Sequence, residues 1–126
     1  MKTENKILEL SFDFSLQIID LYNELTLQKE FVLSKQLLRS GTSIGANILE
    51  AIHGQSTKDF IHKLQISRKE ANETLYWIKL LEATNYLELK STKKLITKCE
   101  ELLKILTSII KSVESKMNVK EKIHSS

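Results

Sequence analysis

The sequence predicts an all-α protein, an antiparallel up-down-up-down four-helix bundle, on three observations. Apolar residues recur at three- and four-residue spacings in four separate stretches, the chain contains no proline, and no stretch alternates with the period of two that a half-buried strand requires. A length of 126 residues with 41% apolar and 28% charged content suffices for one continuous core and not for two. The bundle is expected over residues 1–117, followed by a polar, flexible tail over 118–126.

The first helical segment ends near Leu27, and Phe14, Ile18, Leu21 and Leu25 lie four, three and four apart on one face. Two starts are open for it: a cap in the region of Ser11 and Asp13, or an earlier turn through "NKILEL". After the connection "TLQKEF", the second segment spans about Val32 to His53 with the stripe Leu37, Gly41, Ile44 and Ile48, and Gly54 ends it. The third starts at Ser56 or Thr57, whose hydroxyl accepts from an orphan N–H while Asp59 sits in the positive first turn. It runs to about Ala83 on Phe60, Leu64, Ala71, Leu75 and Ile78, with Ile61, Trp77 and Leu81 widening the stripe. The fourth, capped by Ser91 or Thr92, carries the seam Leu95, Cys99, Leu102, Leu106, Ile109 and Val113, and beside it Ile96, Leu103, Ile110 and Met117. Two seams on one helix fit either contacts on two sides, one of them to another subunit, or a single wide core-facing stripe.

Gly41 and Gly45 are the unexpected residues, because each costs about 1 kcal/mol in a helix relative to alanine. They lie four apart on one face among Ser40, Thr42, Ser43 and Ala46, a patch small enough to let another helix backbone approach closely. With Trp77 they are the candidate helix-packing or oligomer residues. A phosphate-binding loop would need a preceding strand and a Gly-Lys-Ser/Thr sequence, and neither is present. Arg39, Ser43, Asn47 and Glu50 on the second segment and Lys63, Glu70 and Glu73 on the third are candidates for a polar network that sets the pairing of the two helices.

The chemistry of a reaction centre is hard to assemble from the rest. Glu50 and His53 form a Glu-x-x-His pair, but a di-iron bundle needs a second such pair on another inward-facing helix, and the only other copy, Glu121 with His124, falls in the polar tail. His53 instead suits a helix C-terminus, His62 a solvent-facing position, and the lone Cys99 a buried core site. No enzyme activity, cofactor or metal is therefore expected. No apolar stretch is long enough to span a membrane, and "MKTENKILELSF" lacks the apolar core of a signal peptide, which points to the cytoplasm.

Charge is distributed unevenly. Residues 58–126 carry fourteen Lys or Arg against nine Asp or Glu, and residues 1–57 five against seven. Lys90, Lys94 and Lys98 recur every four residues, and Lys104 and Lys111 continue a cationic flank. Such a ridge is either a solvated face or, repeated around an assembly, a surface for the phosphates of RNA or DNA, with Tyr76, Trp77 and Tyr86 as aromatic groups that can stack on bases.

The runs "LLRSGTSIGANILEA", "STKDFIHKLQISRKEANETLYWIKLL" and "ELLKILTSIIKS" resemble the small bacterial four-helix-bundle family of 23S rRNA intervening-sequence proteins, over about Phe12 to Ile110. Arg39, Ser43, Ile44, Asn47, Ile48 and Glu50, joined by Phe60, Lys63, Glu70 and Glu73, carry the likeness most specifically. The resemblance implies an antiparallel bundle that assembles as a ring-like homopentamer and has no catalytic residues. It is also similar to accessory proteins of diversity-generating retroelements, which implies nucleic acid and a reverse transcriptase as partners. Ala51 departs from the family pattern, where glycine is frequent, and moves the helix-ending glycine to Gly54.

Overall fold

A computed structural model describes residues 2–125, with side chains over 3–120 and at 122 and 123. Four helices follow one another, α1 (Lys2–Leu27), α2 (Leu33–Ile52), α3 (Thr57–Ala83) and α4 (Leu89–Ser125). Each packs beside the next and α4 returns to α1, so the chain forms the expected all-α four-helix bundle. The α2–α3 seam is the most extensive and the α1–α4 seam the least. The start of α1 is the earlier of the two alternatives, because Ile7 and Ser11 extend its buried stripe by two turns below Phe14. At the other end of the chain α4 continues as helix through 118–125.

The core is one cluster. Phe14, Ile18 and Leu25 of α1 meet Leu37, Ile44 and Ile48 of α2, Leu64, Ile78 and Leu81 of α3, and Leu102 and Leu106 of α4, all with almost no exposed surface. Cys99 belongs to this core, where its thiol donates to the Ala71 carbonyl at 3.4 Å and burial, with a smaller contribution from Glu100, pushes its pKa up to about 12. The second seam of α4 is absorbed inside the chain: Ile110 is buried, and Ile96, Leu103 and Met117 are partly buried against the core. Within the chain the two seams of α4 together make one wide stripe against the core. The exposed apolar row lies instead on α1, where Phe12, Leu16 and Ile19 repeat at four and three residues opposite the buried face.

The glycines serve close approach and not backbone conformation. None has a positive φ. A Cβ on Gly41 would stand 2.8 Å from two side-chain carbons of Ile18, and one on Gly45 would stand 3.3 Å from Ser11 Oγ and 3.4 Å from the Ser11 carbonyl oxygen, so both admit α1. At Gly54 the added atom would lie 3.1 Å from the Ala51 carbonyl oxygen, which is why the turn after α2 takes glycine. The left-handed positions fall to Lys29 (φ 63°) and Asn85 (φ 66°), just past the ends of α1 and α3. In both turns the same pair of bonds closes the helix: Glu30 N–H donates to Leu25 O and Lys29 N–H to Thr26 O, as Tyr86 N–H does to Leu81 O and Asn85 N–H to Glu82 O. These are Schellman motifs, which satisfy the last carbonyls of each helix.

Two helix starts differ from expectation in their chemistry. α3 is capped as predicted, Asp59 N–H donating to Ser56 Oγ at 3.1 Å. α4 begins at Leu89, ahead of the expected Ser91 or Thr92 cap, because the tight Schellman turn drops Leu87 into the core and lets the helix start at once. Thr92 is buried within the first turn, where its hydroxyl donates to the Glu82 carboxylate at 2.8 Å and ties α4 to α3. At α2 no side chain of the N-cap residue Val32 bonds; the buried Glu30 carboxylate accepts instead from the N–H groups of Val32, Leu33 and Ser34, at 3.1, 2.7 and 2.7 Å. A carboxylate placed there also meets the positive end of the helix.

Candidate functional site

The predicted polar network divides into parts. Arg39 is half-exposed on α2 and bridges two carboxylates of α3, Glu70 at 3.2 Å and Glu73 at 2.5 Å. The second of these also accepts from the Trp77 indole N–H at 3.3 Å, and Trp77 meets the edge of Tyr76 with ring centroids 5.2 Å apart. Trp77 is half-buried and packs against the core. Hydrogen bonding to Arg39 holds the Glu73 carboxyl below the ordinary 4.5, against a smaller opposing effect of burial. The same bond raises the Arg39 guanidinium.

One turn and more away, Lys63 of α3 pairs with Glu50 of α2 at 2.8 Å. Ser43 and Asn47 do not reach α3; they bond back into their own helix, Ser43 Oγ to the Arg39 carbonyl at 2.6 Å and Asn47 Nδ2 to the Ser43 carbonyl at 2.8 Å. The polar groups that truly lie between α2 and α3 are others. Ser67 Oγ donates to the Ile44 carbonyl at 2.8 Å, and the Thr74 and Ser40 hydroxyls are bonded at 2.9 Å, all four residues buried. In the sequence the available signal for these bonds is small hydroxyl residues falling on a core stripe.

Glu50, engaged with Lys63, does not meet His53 in a ligand pair; His53 occupies the C-cap of α2. Among the described residues no group of three His, Cys, Asp or Glu is arranged to hold a metal ion, and the Glu121 and His124 side chains lie outside them. The cleft where the α2–α3 turn meets α4, about 720 Å³, is lined by Thr3, Glu4, Phe60, Ser108, Ser112 and Lys116 among others, one acid and one amine among hydroxyl and apolar groups.

The lysines predicted for nucleic-acid contact are all exposed on α4. Lys98 is the one of these that is ion-paired, its ammonium 3.2 Å from the Asp13 carboxylate of α1. Lys104 and Lys111 flank a shallow depression with Leu103, Thr107 and Ser108. Lys90 and Lys111 are 21 positions apart on one helix, roughly 32 Å at about 1.5 Å per residue. The lysines lie along the length of α4, with the exposed carboxylates of Glu100 and Glu101 between Lys98 and Lys104. No helix of the described residues is long and apolar enough to cross a membrane.

Comparison with known proteins agrees with this architecture. A crystal structure of a protein of unknown function from the S23 ribosomal protein family of Bacteroides thetaiotaomicron is 50% identical, with a TM-score of 0.85, and the match covers 86% of this chain and 98% of that one. No curated protein sequence matches the chain significantly. The family pattern described as 23S rRNA-intervening sequence protein matches residues 3–108, and the chain, carrying the same bundle throughout that range, belongs to this family.

Proposed function

We propose that this chain is a non-enzymatic, self-associating bundle of the cytoplasm, a homopentamer as its family likeness implies, that offers the lysine face of α4 to the phosphate backbone of RNA or DNA. The observation that carries the reading is that Lys90, Lys94, Lys104 and Lys111 are all exposed along one helix, in a basic half of the chain. Phosphate neutralisation by these lysines needs no base-specific geometry, and each counterion released contributes to affinity. Self-association is supported by the exposed row Phe12, Leu16 and Ile19 on α1, an apolar face rimmed by polar residues of the kind that marks an interaction surface. The same row supports a second reading, a scaffold that grips another protein, such as a reverse transcriptase, while the lysines provide solubility.

Light scattering gives the particle mass, and fluorescence anisotropy with labelled RNA and DNA at several salt concentrations gives the affinity. The expected result is an oligomer whose binding falls steeply with salt, and whose salt slope decreases by about 1 for each of Lys90, Lys94, Lys104 and Lys111 changed to Gln. Absent or salt-independent binding overturns the nucleic-acid reading. Phe12→Glu with Leu16→Glu is expected to leave the bundle helical and to yield monomers; an unchanged mass removes α1 from the interface.

A further inference from the structure

The two Schellman turns stand side by side at one end of the bundle. Gln28 Nε2 donates to the Tyr86 carbonyl across them at 3.0 Å, linking residues 58 apart in sequence. Leu87 is buried, but the other apolar side chains of the turns face outward: Phe31 is 53% exposed, Tyr86 38% and Val32 73%. Lysines lie in and next to the turns, Lys29 in one and Lys90, Lys93 and Lys94 in the first turns of α4, all exposed. The local acids are largely withdrawn. Glu30 is buried with its carboxylate taken up by three backbone N–H groups, and Glu82 accepts from Thr92, leaving Glu24 and Glu88 as the exposed carboxylates near the turns.

Exposed aromatic rings ringed by cations fit a partner that offers flat π faces and negative charges alternately. In a duplex the base faces are already stacked on each other, so only an unpaired strand presents both at once. A lipid surface also combines apolar and anionic character, but the positive charge here does not stay in one plane: from the turn end it continues along the side of α4 through Lys104 to Lys111. A plane touches the end or the side, whereas a flexible strand follows both. We propose that the turn end is a stacking platform for single-stranded nucleic acid, with Phe31 and Tyr86 taking bases and Lys29, Lys90, Lys93 and Lys94 the flanking phosphates. This rests on the reading of the α4 lysines as a phosphate-binding face and adds to it a site and a strand preference.

The test is anisotropy titration of the full chain with a labelled oligouridylate of about 20 nucleotides and with a duplex of the same length. Phe31→Ala combined with Tyr86→Ala is expected to weaken single-strand binding roughly 10- to 100-fold with the salt slope and the duplex affinity unchanged, the melting temperature serving as the control for folding. Phe31→Trp provides a second readout, since its indole emission is quenched by a stacked base beyond any change in Trp77 of the unmodified chain. Single-strand binding that survives loss of both rings, or an unquenched Trp at position 31 with oligonucleotide bound, overturns the platform and leaves the α4 face standing. Tighter binding to phosphatidylserine vesicles than to oligouridylate overturns it in favour of a membrane. If the unmodified chain binds neither oligonucleotide, the platform and the α4 reading fail together.

Discussion

The two seams of α2 are built on different physics. Toward α1 the helix offers the hydrogen atoms of Gly41 and the narrow surface at Gly45, and the partner side chains Ile18 and Ser11 come to within van der Waals reach of its backbone. Toward α3 it offers hydroxyls and charges, buried at Ser40 and exposed at Arg39 and Glu50. The first seam is a matter of volume, the second of donors meeting acceptors. Volume is unforgiving in a close-packed interior, whereas hydrogen bonds exchange with water for modest net gain. The α1 seam is thus the sensitive side, and the α3 seam is the one that selects register.

The largest effect is expected from Gly41→Leu, whose first side-chain atom already falls 2.8 Å from Ile18. Ile18 is β-branched and buried, so it has no alternative rotamer to move to, and the cost is expected at about 3 kcal/mol. Gly45→Ala is the contrast. Its Cβ meets Ser11 Oγ at 3.3 Å, a few tenths of an ångström too close, while the helix gains about 1 kcal/mol of propensity. Chemical denaturation should place Gly45→Ala within about 1 kcal/mol of the parent. Equal losses at the two glycines would show that α1 approaches both alike.

An intermediate effect belongs to the turn that feeds the α1–α2 seam. Burial raises the pKa of the Glu30 carboxyl, but bonds from Ser34, Leu33 and Val32 outweigh this and hold it below the ordinary 4.5. Stability from such a group is complete above its unfolded-state value and is lost as pH falls through the lower folded-state value. Glu30→Gln is expected to cost about 1 kcal/mol near neutral pH, in the range of a helix cap. The difference from the parent should shrink below pH 4.5. A constant difference in melting temperature from about pH 7 to about pH 3 would mean that the carboxylate charge is irrelevant to the cap.

The effects across the α2–α3 seam are expected to be no larger than this, and they divide by burial. Ser67→Ala removes a buried bond to the Ile44 carbonyl and is expected to cost about 1 kcal/mol at any salt concentration. Arg39→Gln removes two half-exposed ion pairs and is expected to cost less than about 1 kcal/mol, a loss that salt screens. An Arg39 loss larger than the Ser67 loss and insensitive to salt would make the charged cluster, and not the buried hydroxyls, the element that pairs the two helices.

The elements and the core were legible because their signal is local. Phe14, Ile18, Leu21 and Leu25 repeat with the period of a helix, and all four are buried. A cap at Ser56 or Thr57 was likewise readable from the four residues 56–59, and the structure uses Ser56. What escaped were groups whose roles depend on neighbours far along the chain. Nothing near Ser67 announces that its acceptor is Ile44, and nothing in "TLQKEF" singles out Glu30 as a cap until the Schellman turn folds its side chain back over α2. Arg39 met Glu70 and Glu73 as the polar pattern suggested, yet Ser43 and Asn47, on the same helix, found shorter paths to their own backbone.

By itself the sequence determined that there are four helices, which face of each is apolar, and that two glycines share a face of the second, because a 3.6-residue period and residue size are properties of a segment alone. Only the tertiary structure decided what those faces meet. It set Ile18 and Ser11 against the glycines, absorbed the second seam of α4 into the core while leaving the row on α1 outside, and paired Lys98 with Asp13, 85 residues away. It also brought two turns 58 residues apart to one end, with their rings and lysines together. Pairings of this kind depend on how four stripes of unequal width share one core, and that balance is reached only when all four helices are packed at once.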